Sequence, residues 1–266
     1  MELTPGTRAF VTGASRGIGR ELARQLAARG AIVGLSARSA GDLETLAAEL
    51  PGDHHTVHPA DLRDADAVRA AVDAFAAHHG GMDLVAANAG MAHYGPFRDQ
   101  PLQDALEMSE SNWHGTLFTV HAGLPYLLDQ GRGHVLVTAS GVALRSFPWG
   151  AVYGATKAAQ RMFAEALRHE LSGTGVSVTV VYPGGTDTGF HDHEQPDRMP
   201  DWTDRVQQAT PQGVAAAALA GVEADARSVY HPANVQLLGA VHGVSPRAAD
   251  AILRRVLGGT AAPRRD

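Results

Sequence analysis

The chain of 266 residues contains no cysteine. That excludes disulfides, thiolate metal sites and cysteine nucleophiles, and it leaves the redox compartment open. No apolar run reaches the ~18 residues of a membrane span. The first residues, MELTPGTRAFVTG, lack the charged-then-apolar order of a secretory signal, so a cytoplasmic protein is expected. Dense Lys/Arg stretches are missing too, and the net charge is −6. Both facts argue against nucleic acid or an anionic membrane as the main partner. There is no internal repeat, low-complexity linker or break in composition, so one domain over 1–266 is expected. What is present, 44% hydrophobic and 19% charged residues, describes an ordinary globular chain long enough to bury a large core.

Short β-rich runs alternate with Ala-rich helical stretches. Strands are expected at Arg8–Thr12, Ala31–Ser36, His55–Ala60, Asp83–Ala87, His134–Thr138, Val176–Tyr182 and Ser228–Pro232. Helices are expected at Gly17–Arg29, Asp42–Leu50, Asp64–His79, about Leu102–Leu128, Gly150–Leu171 and near Pro246–Leu257. Strand–helix alternation implies an α/β fold: a Rossmann-type, doubly wound parallel sheet with helices on both faces.

The stretch TASGVALRSFPWGAVYGATK carries a hydroxyl at Ser140, a phenol at Tyr153 and an ammonium at Lys157. Tyr153 and Lys157 are four apart, on one helix face. A free phenol near pKa 10 is a poor acid or base at neutral pH, and a neighbouring ammonium should pull it toward the working range. Ser140 ends an apolar strand, at the edge where open α/β sheets bind ligands. Tyr-x-x-x-Lys alone is common by accident; its context gives it weight.

That context begins at the first strand–helix junction, Gly13-Ala14-Ser15-Arg16-Gly17-Ile18-Gly19. Glycines there let backbone approach a pyrophosphate at a helix N-terminus, although the spacing is G-x-x-x-G-x-G rather than G-x-G-x-x-G. The second strand ends Leu35-Ser36-Ala37-Arg38 with no carboxylate. Arg16, Arg38 and the Ser36 hydroxyl could surround a 2′-phosphate, so NADP(H) is preferred over NAD(H). Solvated surface arginines are the plain alternative. Asp61-Leu62 follow the third strand on the adenine side, with helix capping as the competing explanation for Asp61. Asn88-Ala89-Gly90 end the fourth strand with small residues that would let backbone lie against a ribose. Asn112 sits mid-helix, where propensity disfavours it.

These pieces together resemble the short-chain dehydrogenase/reductase family in its single-domain form. Carrying the resemblance are Thr12-Gly13-x-x-x-Gly17-x-Gly19, Asn88-Ala89-Gly90, Asn112, Ser140, Tyr153-x-x-x-Lys157 and Pro183-Gly184-x-x-x-Thr188, spread from residue 7 to about residue 190. The resemblance implies that Tyr153 is the general acid in reduction or base in oxidation, and that Ser140 holds the substrate oxygen. Lys157 would lower the Tyr153 pKa and bind the nicotinamide ribose, and Asn112 would hold a relay water. Pro183, Gly184, Thr186 and Thr188 would place the nicotinamide and pyrophosphate. Arginines like Arg16 and Arg38 accompany NADP(H) preference in the family.

Three departures limit the transfer. Ala86-Ala87 precede Asn88 where many relatives have another Asn. A polar segment from Gly189 to Asp197, within a lid of about 185–210, matches nothing specific. The C-terminal part, expected to be a helical segment over about 232–258, lacks the glycine-rich final strand and tail with which many tetrameric relatives pack. A homodimer through the Asn112 and Tyr153 helices is expected, with a tetramer as the alternative. His191 and His193 flank Asp192, but the segment is polar and Pro-rich, and no metal is expected. The pocket is assigned to His93, Tyr94, Val142, Leu144, Trp149 and Phe190, a mainly apolar set suited to a hydrophobic ketone or secondary alcohol. Three rivals stand beside this reading: an NAD-dependent alcohol or steroid-type dehydrogenase working oxidatively, a non-catalytic cofactor sensor, and a dehydratase or epimerase. The intact Ser140, Tyr153, Lys157 and Asn112 argue against the sensor; the short C-terminal part argues against the last.

Overall fold

Seven strands form one parallel sheet in the order β3-β2-β1-β4-β5-β6-β7. They are β1 (Arg8–Thr12), β2 (Ile32–Ser36), β3 (Thr56–Val57), β4 (Leu84–Ala87), β5 (Gly133–Thr138), β6 (Val176–Pro183) and β7 (Ser228–His231). The computed structural model describes residues 1–186 and 209–256. Between the strands lie α1 (Gly17–Ala27), α2 (Ala40–Glu49), α3 (Ala65–His79), α4 (Leu102–Met108), α5 (Gly115–Asp129), α6 (Ala151–Glu170) and α7 (Pro211–Glu223). Two further helices, α8 (Val235–Val244) and α9 (Pro246–Val256), follow β7.

The sequence explains why the helices start where they do. Ser39 accepts a hydrogen bond from the Asp42 N–H, Asp64 from Asp66 and Ala67, and Thr210 from Gly213, each meeting orphan donors of a first turn. Asp64 is therefore the cap of α3, and α2 begins two residues before the expected Asp42. Each face of the sheet carries its own apolar layer. One packs Phe10, Phe75, Val85, Val120, Leu127 and Tyr182; the other packs Leu22, Leu26, Leu35, Leu46, Val181 and Leu219. Each large side chain so buried contributes roughly 1.5–3 kcal/mol, before the entropy of ordering it is set against that. At the amino ends of the strands, Asp83 takes the Arg8 guanidinium through both carboxylate oxygens, at 2.8 Å each, and the Arg8 backbone N–H at 2.9 Å.

Two expected elements differ. The third strand, expected over His55–Ala60, pairs only at Thr56 and Val57. It is a sheet edge with one neighbour, and beyond Val57 the chain is held to β2 and its sequel by single bonds, His58 N–H to Leu35 and Ala60 N–H to Ala37. The helix expected over 102–128 is interrupted at Ser109–His114 by a π turn, in which the Gly115 N–H reaches back five residues to the Glu110 carbonyl. The C-terminal segment expected to be helical over about 232–258 forms two helices, α8 and α9. Alternation at the carboxyl edge opens a cleft where the order changes direction, between β1 and β4.

Candidate active site

The cofactor half of the site grows from β1. The glycine turn leaves Thr12 with Gly13 at φ +68° and Gly17 at φ +55°, a backbone that only glycine adopts without strain. A Cβ on Gly13 would sit 2.8 Å from the Ala89 Cα, and one on Gly19 would collide with the Gly13 carbonyl. Backbone is therefore packed on backbone where a phosphate has to come close. Arg16, the N-cap of α1, makes no side-chain cap, and no acidic residue stands in the first turn. The α1 N-terminus thus keeps its partial positive charge for an anion, which fits a dinucleotide pyrophosphate.

Asn88 joins this turn to the chemical half. Its amide donates to the Thr12 carbonyl at 3.1 Å and accepts from the Thr138 hydroxyl at 3.0 Å. The Thr12 hydroxyl receives the Asn88 N–H at 3.1 Å and donates to the Ala86 carbonyl at 3.2 Å. Lys157 in turn donates from Nζ to the Thr138 carbonyl at 2.9 Å. One hydrogen-bonded chain therefore runs from the glycine turn through β4 and β5 to α6. Thr12 and Thr138 carry it and were not singled out as site residues; no spacing in the sequence announces a threonine bridge.

Ser140, Tyr153 and Lys157 converge at the carboxyl end of β5. The Ser140 hydroxyl is near enough to the Tyr153 phenol to draw its pKa down, and Lys157 Nζ lies 5.9 Å from the Tyr153 ring centroid. Tyr153 is 7% exposed and Lys157 3%. Burial decides their protonation. It pushes the phenol up to about 12, against the pull of the Ser140 hydroxyl, and pushes the ammonium down to about 7. The expected lowering of the Tyr153 pKa by Lys157 is not found in this arrangement: desolvation outweighs every opposing influence on the phenol. At neutral pH Tyr153 is a protonated donor.

Asn112 lies in the π turn and is fully buried. Its side-chain oxygen accepts from the Met91 N–H at 2.7 Å, and its amide donates to the Met91 carbonyl at 2.8 Å and the Thr156 hydroxyl at 3.0 Å. These bonds pin the loop after Gly90 to α6; the side chain expected to hold a relay water is engaged as a clamp. Its backbone carbonyl accepts from Gln160 Nε2 at 2.9 Å.

Around the nucleotide end, Arg16 and Arg38 are exposed, whereas Ser36 is 1% exposed with its hydroxyl inside the protein. Asp61 accepts from Arg63 Nη2 at 2.6 Å and Nε at 3.0 Å, and the Arg63 guanidinium, with Arg38 adding to it, holds this carboxyl below its usual range. Arg63 is not among the expected site residues, because a two-residue spacing on a loop carries no signal of such a pair. Leu62 packs into the core against Gly115. Ser15, Ala89 and Gly90 lie along the cleft loops, Ile18 stands in the first turn of α1, and Gly90 faces both Asn112 and Lys157. Gly184 donates to the His231 carbonyl at 2.8 Å, and the Thr186 hydroxyl donates to the Gly184 carbonyl at 3.1 Å. Thr188, Phe190, His191 and His193 lie outside the described residues. Among the described residues no group of three His, Asp or Glu is placed to hold a metal ion.

On the substrate side, Tyr94 meets Tyr153 edge-on at 5.9 Å and stacks on Phe147 at 6.1 Å. Val142 joins this aromatic cluster. His93 Nε2 stands 3.8 Å from Glu107. Trp149 has a left-handed backbone, φ +76°, and its carbonyl accepts from the Gly95 N–H, tying two pocket loops together.

Comparison with known proteins agrees with this architecture. The short chain dehydrogenase family model matches residues 7–199. An uncharacterized oxidoreductase of Myxococcus xanthus is 39% identical over 178 residues, 66% of this chain and 70% of that protein. An alcohol dehydrogenase from the archaeon Thermococcus sibiricus, solved with 5-hydroxy-NADP, is 32% identical, covering 82% of this chain and 90% of that one with a TM-score of 0.73. A short chain dehydrogenase/reductase from Burkholderia phymatum, solved with NAD, is 26% identical, covering 92% and 96% with a TM-score of 0.82. The chain belongs to the short-chain dehydrogenase/reductase family, a family of oxidoreductases. Among the described residues no helix is long and apolar enough to cross a membrane.

Proposed function

We propose that the protein is an NADP(H)-dependent reductase, one dinucleotide-binding domain that converts the carbonyl of a mainly hydrophobic ketone to a secondary alcohol. The observation that carries this reading is the convergence of Ser140, the buried Tyr153 and the buried Lys157 at the carboxyl end of β5, with the phenol protonated at neutral pH. A protonated phenol is the form a reduction requires, which favours reduction over the oxidative alternative. The nicotinamide, when bound, supplies the hydride. Tyr153 gives its proton to the substrate oxygen as charge develops there, and Ser140 holds that oxygen in line. Lys157, fixed by Thr138, faces the ribose side of the cleft; Asn112 fixes the loop that closes over it. The glycine turn receives the pyrophosphate. Arg16 and Arg38, with no carboxylate at the end of β2, receive the 2′-phosphate. Tyr94, Val142, Leu144 and Trp149 supply the apolar wall. Two copies pair through the α4–α6 face, where Leu102, Leu106 and Met162 are exposed.

The test is fluorescence titration with NADPH and NADH. NADPH should bind at least tenfold more tightly, and Arg38→Asp should remove that preference by repelling the 2′-phosphate. Equal affinities in the wild type, or an unmoved preference in the variant, would remove the arginines from the site.

A further inference from the structure

The C-terminal helices occupy a position that the hydride-transfer reading above does not use. Val235, the first residue of α8, lies between the two turns that flank the reacting centre. A Cβ on Gly141, next to Ser140, would sit 2.8 Å from Val235 Cγ1; one on Gly184, next to Pro183, would sit 3.2 Å from Val235 Cγ2. The two methyl groups of one isopropyl therefore occupy the space beside Gly141 and beside Gly184, the latter shared with Pro232, whose Cδ would be 3.0 Å from the same Cβ on Gly184. The Cβ on Gly141 would also sit 3.5 Å from the Pro183 carbonyl oxygen, so the turns themselves are close neighbours there. The Val235 N–H donates to the Pro232 carbonyl at 3.1 Å, which fixes the start of α8.

Two more contacts hold the segment after Ser140 from the same side. One turn along α8, a Cβ on Gly239 would sit 3.0 Å from Leu144 Cδ1, so the bare glycine lets Leu144 pack closely there. From α9, Asp250 pairs with Arg145, whose other nitrogen donates to the Ser146 carbonyl at 2.8 Å. Ser140 begins this segment and Val142 and Leu144 are part of it, so its placement decides where the substrate oxygen and its apolar neighbour rest.

We propose that Val235 is a positioning residue that sets the gap between the substrate-oxygen turn at Ser140–Gly141 and the cofactor turn at Pro183–Gly184, with α8 and α9 as the fixed outer wall of the ketone pocket. The proposal rests on the hydride-transfer reading. Hydride transfer needs its two carbons at near-contact distance, and a displacement of about 1 Å can cost on the order of a hundredfold in rate. The β-branched shape is what the two contacts require. Val235→Ala removes both methyls, Val235→Leu moves the branch one carbon out, and Val235→Thr keeps the shape.

The experiment measures NADPH oxidation with acetophenone and cyclohexanone, NADPH affinity by fluorescence, and hydrogen exchange of peptides covering 140–146 and 183–186. For Val235→Ala, kcat should fall at least about tenfold with NADPH affinity unchanged, and exchange should rise in both peptides. Val235→Thr should restore kcat and protection together, and Val235→Leu should not. Unchanged kcat in Val235→Ala, or faster exchange without any loss of kcat, overturns the proposal, since Val235 would then be packing only. Wild-type protein that binds NADPH but reduces neither ketone sinks the proposal together with the ketone reading. Wild-type activity with an indifferent Val235→Ala sinks the proposal alone.

Discussion

Replacing Tyr153 with Phe removes one oxygen from a buried site and leaves its surroundings intact. The ring keeps its edge contact with Tyr94 at 5.9 Å and its place 5.9 Å from Lys157 Nζ. What is lost is the polar interaction of the phenol oxygen, about 1 kcal/mol. For a chain of this size that moves Tm by only ~2–4 °C. Turnover should fall by roughly 10²–10⁴, the range for losing a general acid, while NADPH affinity stays within a few-fold. The pH dependence adds a second reading. With the phenol near 12, only about one in 10⁵ is ionised at pH 7. Reduction, which consumes the protonated form, owes nothing to pH through Tyr153 across the neutral range. Oxidation needs the phenolate and should climb about tenfold per pH unit. Lys157, pushed down to about 7, adds a break near neutrality to both directions, so the difference between the two profiles is the quantity to compare. Steady-state kinetics in both directions from pH 6 to 9, with melting curves for each variant, make the test. A Tyr153→Phe enzyme within tenfold of wild type, or parallel profiles in the two directions, would refute the assignment.

Two other predictions concern the glycine turn and the core. Gly13→Ala places a side chain at φ +68° and 2.8 Å from the Ala89 Cα, costing about 1–2 kcal/mol for the backbone alone and closing the pyrophosphate cradle. Loss of NADPH binding with a lowered Tm is expected, and normal binding in calorimetry would place the cofactor elsewhere. His134 is fully buried, bonded to the Thr179 hydroxyl at 2.8 Å, and burial pushes it down to about 4. Its folded pKa lies below its unfolded value, so its effect is absent above about pH 6.5 and up to ~3 kcal/mol of stability is lost as pH falls from there toward 4. His134→Gln should flatten the fall of Tm between pH 7 and 4.5, and an acid slope equal to the wild type's would show that His134 is not the group that protonates.

Some of this was open to inspection in the sequence because it depends on neighbours along the chain. Gly13, Gly17 and Gly19 sit at a strand–helix junction where only a tight turn fits, and Tyr153 and Lys157 share a face because four residues make one helical turn. Other features depend on what the folded chain brings from far away. The sign of the Tyr153 shift is set by desolvation, which spacing cannot report. The length of β3 is set by its having one neighbour. The segment Val235–Val244 reads as helical along the chain, but its closeness to Gly141 and Gly184 spans about 50 to 90 residues of sequence and has no local signal. Arg63 escaped because a two-residue spacing on a loop has no characteristic geometry until the loop is folded.

The π turn at Ser109–His114 bears on how this site can change over time. Its extra residue widens the helix, turns Asn112 toward Met91 and Thr156, and frees a carbonyl that Gln160 occupies. No substitution creates or removes such a turn cleanly; it is gained or lost by inserting or deleting one residue. Deleting the extra residue would restore an ordinary helix, and because the wide turn takes up that residue locally, the part of α5 that packs against α3 would keep its register. What would be lost is the position of Asn112 against Met91 and Thr156 and the carbonyl that Gln160 occupies. The wide turn is therefore tied to those bonds, and a scan of single substitutions would show only the tolerance of its side chains while leaving the feature itself untouched.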